Sequence, residues 1–253
     1  MNSLERVGRL IQNHRKAIGL GVWYGLRRWC RIPSEVRDNS KTYRAIHHSS
    51  EGGQTTDFIG IFLDDIYYLD LIDPMSIRAV VDVGANIGLF SVAARRCFPE
   101  AKIHAYEPNS ALMPLLSKNA HTWQFDCRNE AVSMTSGVGR LRLEKDSRMS
   151  VLDPCGTVEM RVTAIHDVID RIGGVVDLLK LDCEGEEWSI LEAGISRRVR
   201  YLTMEYHCLV RNFDHIQVNR FIENAGFDRL AHAPDRTAGQ CLYISRNFVG
   251  STS

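Results

Sequence analysis

Acidic residues recur in this sequence where an apolar run stops. Asp82 lies inside Val81-Asp82-Val83, directly before Gly84-Ala85-Asn86-Ile87-Gly88. Glu107 follows KIHAY (102–106) and precedes Pro108, and Glu130 sits in Asn129-Glu130-Ala131-Val132. Asp182 and Glu184 end the run VVDLLKLD (175–182), which also carries Lys180. Glu205 and His207 share one parity in VRYLTMEYH (199–207). Carboxylates at several strand ends suit a ligand with cationic and hydroxyl groups. An imidazole at such an end can move a proton near neutral pH. A lysine inside an apolar run is costly to bury unless a carboxylate pairs with it, and Lys180 and Asp182 share a strand face by the period of two.

These residues need a scaffold that gathers strand ends. AVVDV (79–83) reads as a strand, 88–97 as a helix and KIHAY as a second strand. Residues 110–119 follow as a helix capped by Asn109 or Ser110, and 124–132 as a third strand. This βαβαβ order predicts a parallel sheet with helices on both faces. Residues 133–163 alternate in short segments and predict a β excursion. A short helix (164–171), the strand 175–182, a helix at 186–193 stopped by Gly194, the strand 199–207 and a helix at 215–225 continue the pattern. Strands 227–232 and 240–246 close the chain as an antiparallel hairpin. The expected fold class is α/β, a seven-stranded mostly parallel sheet with a C-terminal antiparallel hairpin. Upstream, 57–73 reads as a helix ended by Pro74, 38–56 as loop-rich, and 1–37 as two short helical pieces, since glycines at 19, 21 and 25 weaken a continuous one.

The glycine turn departs from the GxGxxG of dinucleotide sites. An acid before Gly84-x-Asn86-x-Gly88 would repel a pyrophosphate but suits the amino-acid end of S-adenosylmethionine. Gly84 permits a tight turn and close ligand approach, and Gly88 lets the next helix pack near its strand. Glu107 stands where an acid accepts hydrogen bonds from both ribose hydroxyls. The adenine ring is expected at 129–132. The cofactor-binding set is therefore Asp82, Gly84, Ala85, Asn86, Gly88, Glu107, Pro108, Glu130, Ala131 and Asp182.

VVDVGANIGLFS (80–91), AYEPN (105–109), NEAVS (129–133), LLKLDCEGEEWSIL (178–191) and YLTMEYH (201–207) resemble the FkbM-type S-adenosylmethionine-dependent methyltransferases. The resemblance spans roughly residues 60–246, and LDCEGEE makes it specific. It implies a Rossmann-like class I methyltransferase fold and O-methylation of a sugar, glycolipid or polyketide-type hydroxyl. Two units are expected: a basic N-terminal helical extension (1–56) and the methyltransferase domain (57–253). For catalysis, His207 is the first candidate base and Asp182 the second, with Glu184 and Lys180 beside them. Asp182, Glu184, Glu205 and His207 also form an oxygen-rich set that suits magnesium, but the spacing requires no metal and none is assigned. Two other readings are a nicotinamide-dinucleotide oxidoreductase and an inactive methyltransferase fold serving as a binding module. Trp123, Trp188, Tyr201 and Tyr206 are expected in the core rather than as sugar platforms.

The bulk features limit the partners. Thirty-one basic and 31 acidic residues cancel, which argues against a generic nucleic-acid binder. Seven cysteines without CxxC spacing favour a reducing compartment, and a cytoplasmic location is the expectation. The cancellation is uneven. Residues 1–37 hold eight basic side chains (at 6, 9, 15, 16, 27, 28, 31 and 37) against Glu5 and Glu35. With Trp23, Tyr24, Leu26 and Trp29 they suggest either packing as a lid on the domain or peripheral contact with the inner membrane face. The acceptor is expected to be a small-molecule or glycolipid hydroxyl; the oligomeric state is not read.

Overall fold

The computed structural model describes residues 3–22, 32–49, 52–143, 150–235 and 237–250. Helix α1 (Ser3–Leu20) is the first of the two helical pieces expected in 1–37, and is longer than a short piece. Gly19 lies in its last turn, where one glycine is tolerated, and Gly21 (φ +70°) ends it. Gly21 N–H donates to Ile18 O and Val22 N–H to Ala17 O, the paired bonds of a Schellman ending. The second expected piece, with Trp23, Tyr24, Leu26 and Trp29, lies at 23–31, outside the described residues. Ala17 and Leu20 are buried in the same core as Val36, Ile46 and Phe58. The loop-rich region contains a short hairpin, β1 (Glu35–Arg37) with β2 (Tyr43–Ala45), and the start of α2 (Gly52–Phe58).

The helix expected at 57–73 is broken. After α2 comes a π-helix at Ile59–Asp64, then Asp65 in the left-handed region (φ +52°). The Asp65 carboxylate accepts from the backbone N–H groups of Leu69 and Asp70 at 2.8 and 2.9 Å. That local capping competes with helix continuation.

From here the chain follows the expected order. The elements are β3 (Ala79–Val83), α3 (Leu89–Cys97), β4 (Lys102–Tyr106), α4 (Met113–Trp123) and β5 (Asp126–Arg128). Next come β6 (Ala131–Ser133), β7 (Gly137–Arg142), β8 (Val151–Leu152), β9 (Val158–Ala164) and α5 (Ile165–Ile172). The chain ends with β10 (Val176–Leu181), α6 (Glu187–Glu192), β11 (Val199–His207), α7 (Cys208–Arg211), α8 (His215–Asn224), β12 (Phe227–Pro234) and β13 (Ala238–Ser245). The main sheet has the order β12-β13-β11-β10-β3-β4-β5, with β13 antiparallel to both of its neighbours and the remaining pairs parallel.

The expected third strand, 124–132, splits at Asn129 and Glu130. Its second half, β6, joins a separate four-stranded sheet in the order β6-β9-β7-β8; this is the β excursion. Two core clusters lie on either side of the main sheet. Trp123 belongs to one, and Trp188 and Tyr206 to the other. Among the described residues no helix is long and apolar enough to cross a membrane.

Candidate active site at the carboxyl ends of the parallel strands

The strands β3, β4, β10 and β11 end together, and their exits line a cavity of about 240 Å³. The order of the sheet changes direction beside β3, where open α/β sheets bind ligands. Gly84 makes the turn at φ +75°. A Cβ there would stand 1.8 Å from the carbonyl oxygen of Asp182. Its lack of a side chain therefore lets the exit of β10 close against the turn. Gly88 (φ +88°) packs against Leu116 of α4 and Phe125 rather than against its own strand, and does not line the cavity. Ala85 and Asn86 line the cavity.

Asp82 does not. It is fully buried and sits beside Lys180 in the β3–β10 register. Its Oδ1 faces Lys180 Nζ at 3.2 Å, and its Oδ2 accepts from Ser91 Oγ at 2.7 Å. Contact between Asp82 and the ammonium of a ligand, as read from sequence, is thus replaced by an internal ion pair. Lys180 also donates to the carbonyls of Val83 (3.2 Å) and Gly84 (2.6 Å) and lies 3.6 Å from Asp182 Oδ2. Burial opposes its charge, but Asp82 and Asp182 outweigh that and raise its pKa. Lys180 therefore stays an ammonium and ties down the glycine turn; it holds no lone pair with which to accept a proton.

Glu107, at the end of β4, lines the cavity and is 5% exposed. Its oxygens accept from Asn86 N–H and Asn109 N–H, both at 2.8 Å. Burial nevertheless pushes its pKa up to about 7. Asn129 donates to the carbonyls of Glu107 and Pro108, both at 2.9 Å, so the break between β5 and β6 is fastened to the neighbouring strand end. Glu130 reaches the cavity wall, but its carboxylate is already engaged. Oε2 accepts from Thr163 Oγ1 (2.7 Å) and Arg171 Nη1 (2.9 Å). Burial raises its pKa, yet these bonds prevail and hold it below the usual range. Pro108, Ala131 and Val132, with Leu141 and Leu152 of the small sheet, supply apolar surface at this end.

Asp182, Glu184, Glu205 and His207, from the exits of β10 and β11, also line the cavity. Glu184 takes a left-handed conformation (φ +53°), followed by Gly185 at φ +117°. The clasp that holds this turn is Glu187, fully buried. Its two oxygens accept from Cys183 N–H (2.7 Å) and Gly185 N–H (2.8 Å). A left-handed non-glycine residue costs on the order of 1–2 kcal/mol, and these bonds offset it. The turn brings Glu184 Oε2 to 3.6 Å from His207 Nε2. Glu205 accepts from Gln240 Nε2 at 3.0 Å. Burial and the nearby Asp182 push its pKa up to about 7. Tyr67 donates its hydroxyl to Asp182 Oδ2 at 2.7 Å. Among the described residues no group of three or more His, Cys, Asp or Glu converges closely enough to hold a metal ion.

Of the residues singled out from sequence, Gly84, Ala85, Asn86, Glu107, Pro108, Glu130, Ala131, Lys180, Asp182, Glu184 and His207 share this one cavity. Sequence reasoning missed Ser91, Thr163, Arg171, Glu187 and, above all, Tyr67 with Asp57, Ile61 and Ile66 from the segment before β3. Only Glu187 left a signal, as the second acid of Glu186-Glu187 opening α6. Within the cavity wall, Asn86 Oδ1, Ser150 Oγ and His207 Nδ1 are buried without a hydrogen-bond partner among the described residues. Native interiors rarely leave such atoms unpaired, so this wall suits a polar ligand.

Comparison with known proteins accords with that geometry. The solved fibrillarin pre-rRNA processing protein of Methanococcus jannaschii superposes with a TM-score of 0.50 over 87% of this chain and 86% of its own, at 8% identity; this likeness is one of fold. Methyltransferase sdnD of Sordaria araneosa is 28% identical over 234 residues, covering 70% of this chain and 84% of its own. The 31-O-demethyl-FK506 methyltransferase FkbM of Streptomyces tacrolimicus is 28% identical over 188 residues, covering 58% and 72%. The family described as Methyltransferase FkbM domain matches residues 82–229, which hold the glycine turn, Glu107, the Glu187 clasp and His207. This chain therefore belongs to the FkbM family of S-adenosylmethionine-dependent methyltransferases.

Proposed function

We propose that this methyltransferase binds S-adenosylmethionine across the exits of β3 and β4 and methylates a hydroxyl of a sugar, glycolipid or secondary metabolite. The observation that carries this reading is that one cavity joins a ribose-type acid, Glu107, to an imidazole–carboxylate pair, His207 and Glu184. The residues present fit the donor. Glu107 offers an acceptor for ribose hydroxyls, Asn86 Oδ1 has no hydrogen-bond partner among the described residues, and Pro108, Ala131 and Val132 form an apolar seat for adenine. Acids along the wall suit a cationic donor and disfavour the pyrophosphate of a nicotinamide dinucleotide. When bound, the donor supplies a sulfonium-borne methyl carbon open to in-line displacement.

The chain supplies alignment and a base. The proton leaving the acceptor hydroxyl would pass to His207, which lines the cavity. Glu184, 3.6 Å away, stabilises the imidazolium that results. General-base assistance of this kind contributes about 10²–10⁴-fold. The name of the Streptomyces relative gives 31-O-demethyl-FK506 as that protein's substrate, which supports a hydroxyl acceptor here.

The test is incubation of fractionated extracts with the enzyme and isotopically labelled S-adenosylmethionine, read by mass spectrometry. A labelled methyl ether is the expected product. Label appearing only on nitrogen, sulfur or carbon overturns the O-methylation reading, and absence of donor binding by calorimetry overturns the whole.

A further inference from the structure

The two oxygens of Asp182 meet different surroundings. Oδ2 accepts from the Tyr67 hydroxyl at 2.7 Å and faces Lys180 Nζ at 3.6 Å. Among the described residues no hydrogen bond reaches Oδ1, and the side chain, 24% exposed, lies on the cavity wall. Asp182 is also the carboxylate pressed against the glycine turn, since its own carbonyl fills the space beside Gly84. The other acid of that turn, Asp82, is sealed beneath Lys180 and Ser91 and cannot meet a ligand.

Tyr67 is aimed by the fold. It is 3% exposed, its ring meets Phe90 edge-on at 5.2 Å, and Lys180 Nζ lies 5.6 Å from the ring centroid. Its carbonyl accepts from Thr203 Oγ1 at 2.9 Å. Left-handed residues on both sides, Asp65 and Tyr68, turn the chain so that this one ring enters the site. Tyr67 precedes the residues that the family description matches, so nothing in that match assigns it a part.

We infer that Tyr67 is a positioning residue whose hydroxyl, together with Lys180, occupies Asp182 Oδ2 so that Oδ1 is turned to accept the α-ammonium of the methyl donor's amino-acid end. The inference rests on the proposed use of S-adenosylmethionine. A hydroxyl fixed in this way restricts the carboxylate to one rotamer, and the pre-set geometry strengthens a charge-assisted hydrogen bond.

The experiment compares two probes by calorimetry: S-adenosylhomocysteine, which carries the ammonium, and 5′-methylthioadenosine, which lacks the amino-acid end. Tyr67→Phe is expected to weaken S-adenosylhomocysteine about tenfold and to leave 5′-methylthioadenosine within about twofold. Asp182→Asn is expected to weaken the first by about 30-fold or more with the same selectivity. The double variant is expected to lose little beyond Asp182→Asn alone, because the hydroxyl acts through that carboxylate. A purely structural role for Tyr67 would shift both probes together, and that result overturns the inference. Equal probe affinities for wild type and Asp182→Asn overturn it too, and decide the matter if Tyr67→Phe fails to fold. Wild-type protein that binds neither probe instead overturns the donor reading on which the inference rests.

Discussion

The two ends of the cavity are built differently. The end proposed for the donor is made from adjacent strands, with three acids paired before any ligand arrives: Glu107 with two backbone N–H groups, Glu130 with Arg171 and Thr163 and, behind the wall, Asp82 with Lys180 and Ser91. The far end is assembled from distant pieces. Tyr67 meets Asp182 across 115 positions. Asp57 and Ile61 come from the segment before β3, Glu184 from the turn after β10, and Glu205 and His207 from the exit of β11. Binding a fixed nucleoside rewards rigidity, which neighbouring strands provide through their register. Choosing an acceptor requires a surface that can change while that register stays in place.

Substitutions at each end sharpen or break this contrast. The largest effect is expected at the far end. His207→Gln should lower turnover of the identified acceptor by about 10²–10⁴-fold in single-turnover assays, with donor affinity within about twofold. A parallel loss of donor affinity would mean the two ends are not separable. Next comes the buried pair behind the glycine turn. Lys180→Met strands Asp82 without a counter-charge and should cost on the order of 3–5 kcal/mol in urea unfolding; a loss under about 1 kcal/mol would show that the pair is dispensable. Glu107→Gln should weaken donor binding by about 100-fold, two charge-assisted bonds being at stake, without altering the acceptor's KM.

The pH dependence follows from Glu107. Burial raises its pKa to about 7, so below that pH it is protonated and loses acceptor capacity towards the ribose. Donor affinity should therefore rise with pH, by at most about tenfold per unit below 7, and level off above it. The ligand-free fold should lose this group's contribution in the opposite sense. As pH rises from about 4.5 towards 7, the buried acid becomes costly to ionise. Donor-induced thermal shifts should grow over the same interval, and Glu107→Gln should flatten that growth. The smallest effect is expected from Ile61→Ala on the far wall: a several-fold change in the acceptor's KM at most, with donor affinity unmoved.

The succession of β and α elements, the glycine turn and the place of Glu107 at a strand end were legible in sequence because each depends on residues within one βα unit. Asp82 was legible as a residue but not as a role. Its neighbour across the sheet, Lys180, is set by the β3–β10 register, which sequence spacing does not disclose. The length of α1 escaped because glycine propensity was weighed without the core that buries Ala17 and Leu20, although Gly21 does end the helix. Tyr67 escaped for a similar reason, since an apolar run with two tyrosines reads as helix until Asp65 caps its own backbone. The LDCEGEE turn was recognised by resemblance, and its physical basis, the Glu187 clasp, is visible only in three dimensions.

The π-helix at Ile59–Asp64 amounts to one residue more than an α-helix of the same span would hold. Each residue of a helix advances the chain by about 100°. Because the wide turn absorbs the extra residue, a chain one residue shorter here would wind regularly and still deliver Ile66 and Tyr67 to the wall in phase, with the tyrosine facing Asp182. The segment thus behaves as a take-up of slack, a place where the loss of a single residue is absorbed before the chain reaches the site and leaves every strand of the sheet unmoved.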